Sequence, residues 1–213
     1  MIFIKKYDYS GCTHGERKKA ETSNGRQLLK YAVQNVFGLD TEDMSITKNE
    51  HGKPYFQDVK GIEFNISHSG DYVAVMIGDT KLGVDIQIIR AVRERVVHKM
   101  CSEAERSFVF GSDDADRAFI RLWTLKESYV KAIGTGMSFP MSTVNFDMQN
   151  TGAEVVGKIS NRQGIFLNRD FGNYILSACV IGEDMSENCL RKIFEIKIVS
   201  SADLEKGVLN ELC

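Results

Sequence analysis

The chain has 213 residues, of which 43% are hydrophobic and 26% charged, and its net charge is −2. This is enough material for one large globular domain or two small ones that share a core. The near-neutral charge excludes a general electrostatic attraction to nucleic acid or to an anionic membrane, so any anion site has to be built locally.

From the N-terminus, Met1–Lys6 holds a few apolar residues before two lysines, too short a run for the core of a signal peptide. A first helix is expected from about Ser23 to Gly38. Leu28, Leu29, Ala32, Val33, Val36 and Phe37 form its apolar stripe, Asn24 and Gln27 read as a capping box, and Gly38 reads as the C-cap. Strands follow at Phe64–His68, Tyr72–Ile77 and Leu82–Ile89, with a hairpin loop at Gly78–Lys81 between the last two. Arg90–Phe110 reads as a charged helix, and Asp113–Ile133 as the strongest helix of the chain. Further strands are expected at Thr143–Met148, Glu154–Ile159, Gly164–Leu167, Tyr174–Ile181 and Phe194–Val199.

Each of two successive groups puts a helix before several strands. The pattern predicts an α+β protein of two packed halves, 1–101 and 102–213. Pro54 and Pro140 are the only prolines and neither sits in a linker, so a flexible tether is not expected. The five cysteines, Cys12, Cys101, Cys179, Cys189 and Cys213, are odd in number and form no C-x-x-C pair. They argue against a disulfide framework or a zinc site. With no apolar run long enough to span a membrane, a cytoplasmic protein is expected.

Four groups of residues carry chemistry. In the strong helix, the stripe Phe119, Leu122, Tyr129, Ile133 is broken at position 126 by a lysine, and a lysine on a buried stripe needs a reason. Glu127 and Lys131, four apart, share the adjacent face; on helix geometry alone a solvated surface pair is the default reading. Alternation in Leu82–Ile89 sets Gly83, Asp85 and Gln87 on one polar face. That face is either a solvated strand edge or a pair of oxygen ligands for a hard metal. Asn65-Ile66-Ser67-His68-Ser69-Gly70 offers hydroxyls, an imidazole and backbone N–H groups to a phosphate, or else is a turn stabilised by its own side chains. Arg26, in the first turn of the expected first helix, opposes the helix dipole unless an anion binds there; Lys53 is a further cation on a turn. Together these suit transfer of a phosphoryl-type group from a polyanionic donor.

The order Gly52-Lys53-Pro54, FNISHSG (Phe64–Gly70), GVDIQ (Gly83–Gln87) and WTLKESYVKAIGTG (Trp123–Gly136) resembles the Sfp-type 4′-phosphopantetheinyl transferases over about residues 26 to 140. The W-x-x-K-E-x-x-x-K-x-x-G string is the most specific part. The resemblance implies a monomeric pseudo-dimer of two similar α+β halves with coenzyme A in the cleft between them. It also implies transfer of phosphopantetheine to a serine of a fatty acid, polyketide or nonribosomal peptide carrier protein, with release of 3′,5′-ADP. By resemblance Asp85, Gln87 and Glu127 are the ligands of magnesium, with manganese as the alternative. Glu127 is also the base for the carrier serine, and Lys131 meets the phosphate. Ser67 and His68 hold the 3′-phosphoadenosine end, Lys53 and Arg26 its outer phosphate contacts, and Lys126 has a buried structural or phosphate role. Many members have D-x-E where this chain has Asp85-Ile86-Gln87, which predicts weaker metal binding. Arg90, Arg93, Arg95 and Lys99 form either a solvated helix face or a steering surface for an acidic carrier. Two rival readings are a non-catalytic coenzyme A or carrier-binding module and a metal-dependent phosphohydrolase.

Overall fold

A computed structural model describes residues 1–41, 44–148, 154–157, 159–182 and 185–204. Cys213 and Lys158, the latter inside the strand expected over Glu154–Ile159, lie outside the described residues. The elements, in chain order, are β1 (Ile2–Lys6), α1 (His14–Phe37), β2 (Ile46–Lys48), β3 (Pro54–Phe56), β4 (Glu63–Ser69), β5 (Tyr72–Gly78) and β6 (Leu82–Ile88). There follow α2 (Glu94–Met100), α3 (Glu103–Phe110), α4 (Ala115–Ile133), β7 (Glu154–Gly157), β8 (Ile165–Phe171), β9 (Tyr174–Val180), α5 (Glu187–Ile193) and β10 (Ile196–Ile198).

Two four-stranded sheets, ordered β10-β1-β5-β4 and β6-β9-β8-β7, lie face to face, and β2 and β3 form a separate small hairpin. Strand alternation explains the layering. Ile2, Ile4, Ala74 and Met76 of the first sheet meet Val84, Ile86, Leu176 and Ala178 of the second. On the outer face of the first sheet Phe3, Val73, Val75 and Ile77 pack under Leu28, Leu29, Ala32 and Val33 of α1. On the outer face of the second, Phe166, Ile175 and Cys179 pack under Phe119, Leu122 and Leu125 of α4. Each half is therefore one long helix on one four-stranded sheet, the α+β pseudo-dimer. Sheet membership changes in the turn at residues 79–81, and the chain returns to the first sheet with β10. Between that turn and α3, Val97 and Cys101 pack into the core under α4.

Three local expectations need correction. The first helix begins at His14, nine residues before Ser23, because Thr13 and Glu16 form the capping box; the Asn24 side chain instead bonds the Tyr9 hydroxyl at 3.1 Å. The charged segment is two short helices, since Ser102 caps α3 in a second box with Glu105. The strand expected over Thr143–Met148 is a 3₁₀ turn, Met141–Thr143, followed by an isolated bridge from Phe146 to Ser160. Several of the segment's backbone groups are taken by side chains: Lys126 binds the Met141 and Val144 carbonyls, and Glu105 accepts the Phe146 N–H. β1, a central strand, is absent from the sequence reading, because three apolar residues before two lysines have no periodicity to read.

Candidate active site

α4 lies directly on β6 because position 83 is glycine. A Cβ there would run into the Ser128 carbonyl and the Ala132 amide. This contact brings the Glu127–Lys131 face of α4 over the Asp85 face of β6. Asp85 is 1% exposed and Glu127 9%, so neither the solvated strand edge nor the surface ion pair describes them.

Lys131 Nζ donates to Asp85 Oδ1 at 2.6 Å, to Ser67 Oγ at 3.0 Å and to the Val84 carbonyl at 3.2 Å. The Ser67 hydroxyl donates to the same Asp85 oxygen at 2.8 Å. Gln87 Nε2 donates to Asp85 Oδ2 at 3.4 Å, and Gln87 Oε1 accepts from Ser69 at 3.3 Å. The Glu127 carboxylate has no hydrogen-bond partner among the described residues. Burial, and then the negative charge of Asp85, push its pKa above the usual carboxylate value, with Lys131 opposing. A cavity of about 250 Å³ between the halves opens onto Glu127, Lys131, Asn65 and Lys53.

Asp85 and Glu127 together fit a hard divalent cation. They are two oxygen donors whose mutual repulsion a cation would relieve; Gln87 turns its amide nitrogen to Asp85 and its amide oxygen to Ser69. No cluster of three His, Cys, Asp or Glu suited to a metal occurs among the described residues, in keeping with an amide at position 87.

The remaining expected residues are dispersed. Ser67 and His68 point to opposite faces of β4: Ser67 is buried against Asp85, whereas His68 is exposed over α1, with Nδ1 3.5 Å from Glu21. Lys53 Nζ is turned inward onto the Leu82 and Ala132 carbonyls, both at 3.2 Å, and burial lowers its pKa. Arg26 is exposed in the middle of α1, so the helix-terminus argument for it fails. Lys126 is 1% exposed and all three of its donors are engaged, by Glu105 at 2.8 Å and by the Met141 and Val144 carbonyls. Of its two expected roles, the buried structural one matches this geometry. Glu105 escaped sequence reading, although its capping box, Ser102-Glu103-Ala104-Glu105, is legible. Asn65 and Ser69 escaped as individuals, although the alternation N-x-S-x-S marks a polar face on β4.

Comparison with known proteins follows the same division. The family model described as the 4′-phosphopantetheinyl transferase superfamily matches residues 81–179, and the one described as 4′-phosphopantetheinyl transferase, N-terminal, matches residues 13–80. The 4′-phosphopantetheinyl transferase gsp of Aneurinibacillus migulanus is 30% identical over 170 residues, 78% of this chain and 70% of that protein. The 4′-phosphopantetheinyl transferase Sfp of Bacillus subtilis (strain 168) is 28% identical over 156 residues, 71% and 70% of the two chains. The L-aminoadipate-semialdehyde dehydrogenase-phosphopantetheinyl transferase of Xenopus laevis is 28% identical over 160 residues, 68% of this chain and 53% of that protein. No helix among the described residues is long and apolar enough to cross a membrane.

Proposed function

The chain belongs to the 4′-phosphopantetheinyl transferase superfamily, as an Sfp-type member, and from that membership we propose how its own residues perform the transfer. The enzyme moves the 4′-phosphopantetheine group of coenzyme A onto a serine of a carrier protein. The reading of the site rests above all on Glu127, a buried carboxylate that has no hydrogen-bond partner among the described residues and lies beside Asp85 and Lys131 in the cleft between the halves.

Asp85 and Glu127 would hold magnesium, with the Gln87 amide oxygen, once turned from Ser69, as a third donor. When bound, the cation neutralises charge on the coenzyme A pyrophosphate. Glu127 takes the proton from the carrier serine as the serine oxygen attacks phosphorus and the bond from phosphorus to 3′,5′-ADP breaks. Lys131, at the rim of the cavity with 25% of its side chain exposed, supplies positive charge to the departing 3′,5′-ADP. Ser67 and His68 serve the 3′-phosphoadenosine end from the two faces of β4, with Lys53 and Arg26 as outer phosphate contacts. Lys126 holds α4 in place rather than touching the cofactor. Arg90, Arg93, Arg95 and Lys99, all exposed, steer an acidic carrier to the cleft. The enzyme works as a monomer in the cytoplasm.

The test is the intact mass of an apo carrier protein after incubation with enzyme, coenzyme A and magnesium. The expected result is a gain of one phosphopantetheine, lost on chelation of the metal and in Glu127→Ala. Coenzyme A binding without any mass gain across several carriers would overturn the catalytic reading in favour of a binding module. Release of inorganic phosphate would favour a phosphohydrolase.

A further inference from the structure

The turn that ends β4 is fastened from both halves by residues outside every sequence motif. Gly70 and Asp71 form a two-residue turn between Ser69 and Tyr72, which pair across β4 and β5. Within the first half, the Arg17 guanidinium of α1 donates to the Gly70 carbonyl, and the Tyr7 amide donates to the Asp71 carbonyl at 2.8 Å. From the second half, Tyr174 at the start of β9 accepts the Asp71 N–H on its hydroxyl at 3.4 Å.

The fit under Tyr174 is close. Gly70 has φ 54°, and a Cβ on it would overlap the Tyr174 hydroxyl, so both backbone conformation and space demand glycine. The Tyr174 ring is fixed in turn. It stands edge-on to Tyr72 with centroids 4.8 Å apart, and Tyr72 stands edge-on to Phe171 at 5.3 Å. Tyr174 also pairs with Ile88 of β6, and the Ile88 N–H is bonded by Ser69 Oγ at 3.0 Å. The Ser69–Asp71 turn is thereby tied to the metal strand at two neighbouring points, once through Ser69 and once through Tyr174.

We infer that Tyr174 is a positioning residue for coenzyme A: from the second half it holds the β4 turn, and with it Ser67 and His68, in the geometry that receives the nucleotide. The inference rests on the proposed function, in which those two residues contact the nucleotide end. A turn already ordered in the free protein loses no conformational freedom when the ligand binds, and the saving appears as affinity. The Tyr174 hydroxyl makes no hydrogen bond to Asp85, Glu127 or Lys131 among the described residues, so its loss is expected to fall on binding ahead of the chemical step.

Tyr174→Phe removes the hydroxyl and keeps the ring; Gly70→Ala keeps the hydroxyl and displaces it. Calorimetric titration of each with coenzyme A, without carrier, is expected to weaken Kd by about threefold to tenfold for Tyr174→Phe, the size of one hydrogen bond, and further for Gly70→Ala. The KM for coenzyme A should rise by the same factor, with kcat and the KM for carrier unchanged. Wild-type affinity in Tyr174→Phe, or an equal rise in the KM for carrier, would overturn the inference, as would a lower melting temperature with unchanged Kd in the folded protein. Tyr174→Phe decides the matter if Gly70→Ala does not fold. Failure of the wild-type protein itself to bind coenzyme A would overturn the proposed function and this inference with it.

Discussion

Ser67 Oγ donates to Asp85 Oδ1 at 2.8 Å and accepts the Ile86 N–H at 3.3 Å, so one hydroxyl joins the edge strands of two different sheets. It is the middle rung of a ladder. Asn65 Oδ1 accepts the Val84 N–H at 2.9 Å, and Ser69 Oγ accepts the Ile88 N–H at 3.0 Å. Three alternate side chains of β4 thus satisfy three alternate amides of β6, as the carbonyls of a paired strand would. The seam between the halves is made of side chains, and the proposed metal carboxylate lies on it.

Gln87→Glu adds a negative charge next to Asp85 and replaces the amide donor to Asp85 Oδ2. Magnesium is expected to half-saturate activity at a concentration about tenfold lower, in line with the preference of hard cations for charged oxygen. A metal titration checks this, and an unchanged half-saturation would take position 87 out of the metal site.

Gly83→Ala should be far more damaging than Gly25→Ala. The first substitution drives a methyl into the backbone of α4, and a loss of about 3 kcal/mol or more is expected, together with most of the activity. The second puts its methyl 3.2 Å from Ile66 Cγ2, a side-chain atom that can shift, and it gains the better helix propensity of alanine, about 1 kcal/mol. Urea denaturation of both variants separates the cases.

Glu105 accepts from Lys126 at 2.8 Å, from the Phe146 N–H at 3.0 Å and from the Ser102 N–H at 2.8 Å, with both charged side chains 1% exposed. Glu105→Ala leaves a buried ammonium without its counter-ion. A loss of about 3–5 kcal/mol is expected, a large share of a typical total of about 5–15 kcal/mol. The pair Glu105→Leu with Lys126→Met should recover part of that loss in the same denaturation experiment.

The cysteines should divide by reactivity. Burial, reinforced by Glu105, pushes the Cys101 thiol up to about 11, and burial raises Cys179 as well. A raised thiol pKa lowers the thiolate fraction at a given pH, and thiolate is the reactive form. At pH 8 iodoacetamide should therefore label the exposed Cys12 and Cys189 and spare Cys101 and Cys179; labelling of Cys101 in the native protein should begin only near pH 10. Peptide mapping reads the pattern.

Reversing charge at Arg93 and Arg95 should raise the KM for carrier several-fold at low salt, less at high salt, and leave the KM for coenzyme A alone. Equal KM values for wild type and variant would remove this surface from carrier docking.

The sequence by itself determined what is local or periodic. Strand alternation set Asp85 and Gln87 on one face of β6, and helical spacing set Glu127 and Lys131 on one face of α4; both relations survive in the folded chain. The ordered motifs identified the family. Tertiary structure alone decided which groups those faces meet, because the partners are distant in the chain. Lys131 reaches Ser67 across 64 positions, and Lys126 reaches Glu105 across 21. Ser67 and His68, read together as one phosphate pocket, diverge in the folded chain, because α1 packs on one side of β4 and β6 on the other. Lys53, read as a cation on a turn, lines the cavity and also bonds the Leu82 and Ala132 carbonyls, contacts that its place on the turn did not reveal. A side chain's type limits what it can bind; whether it binds substrate or its own backbone depends on which unpaired carbonyls the fold brings within its reach.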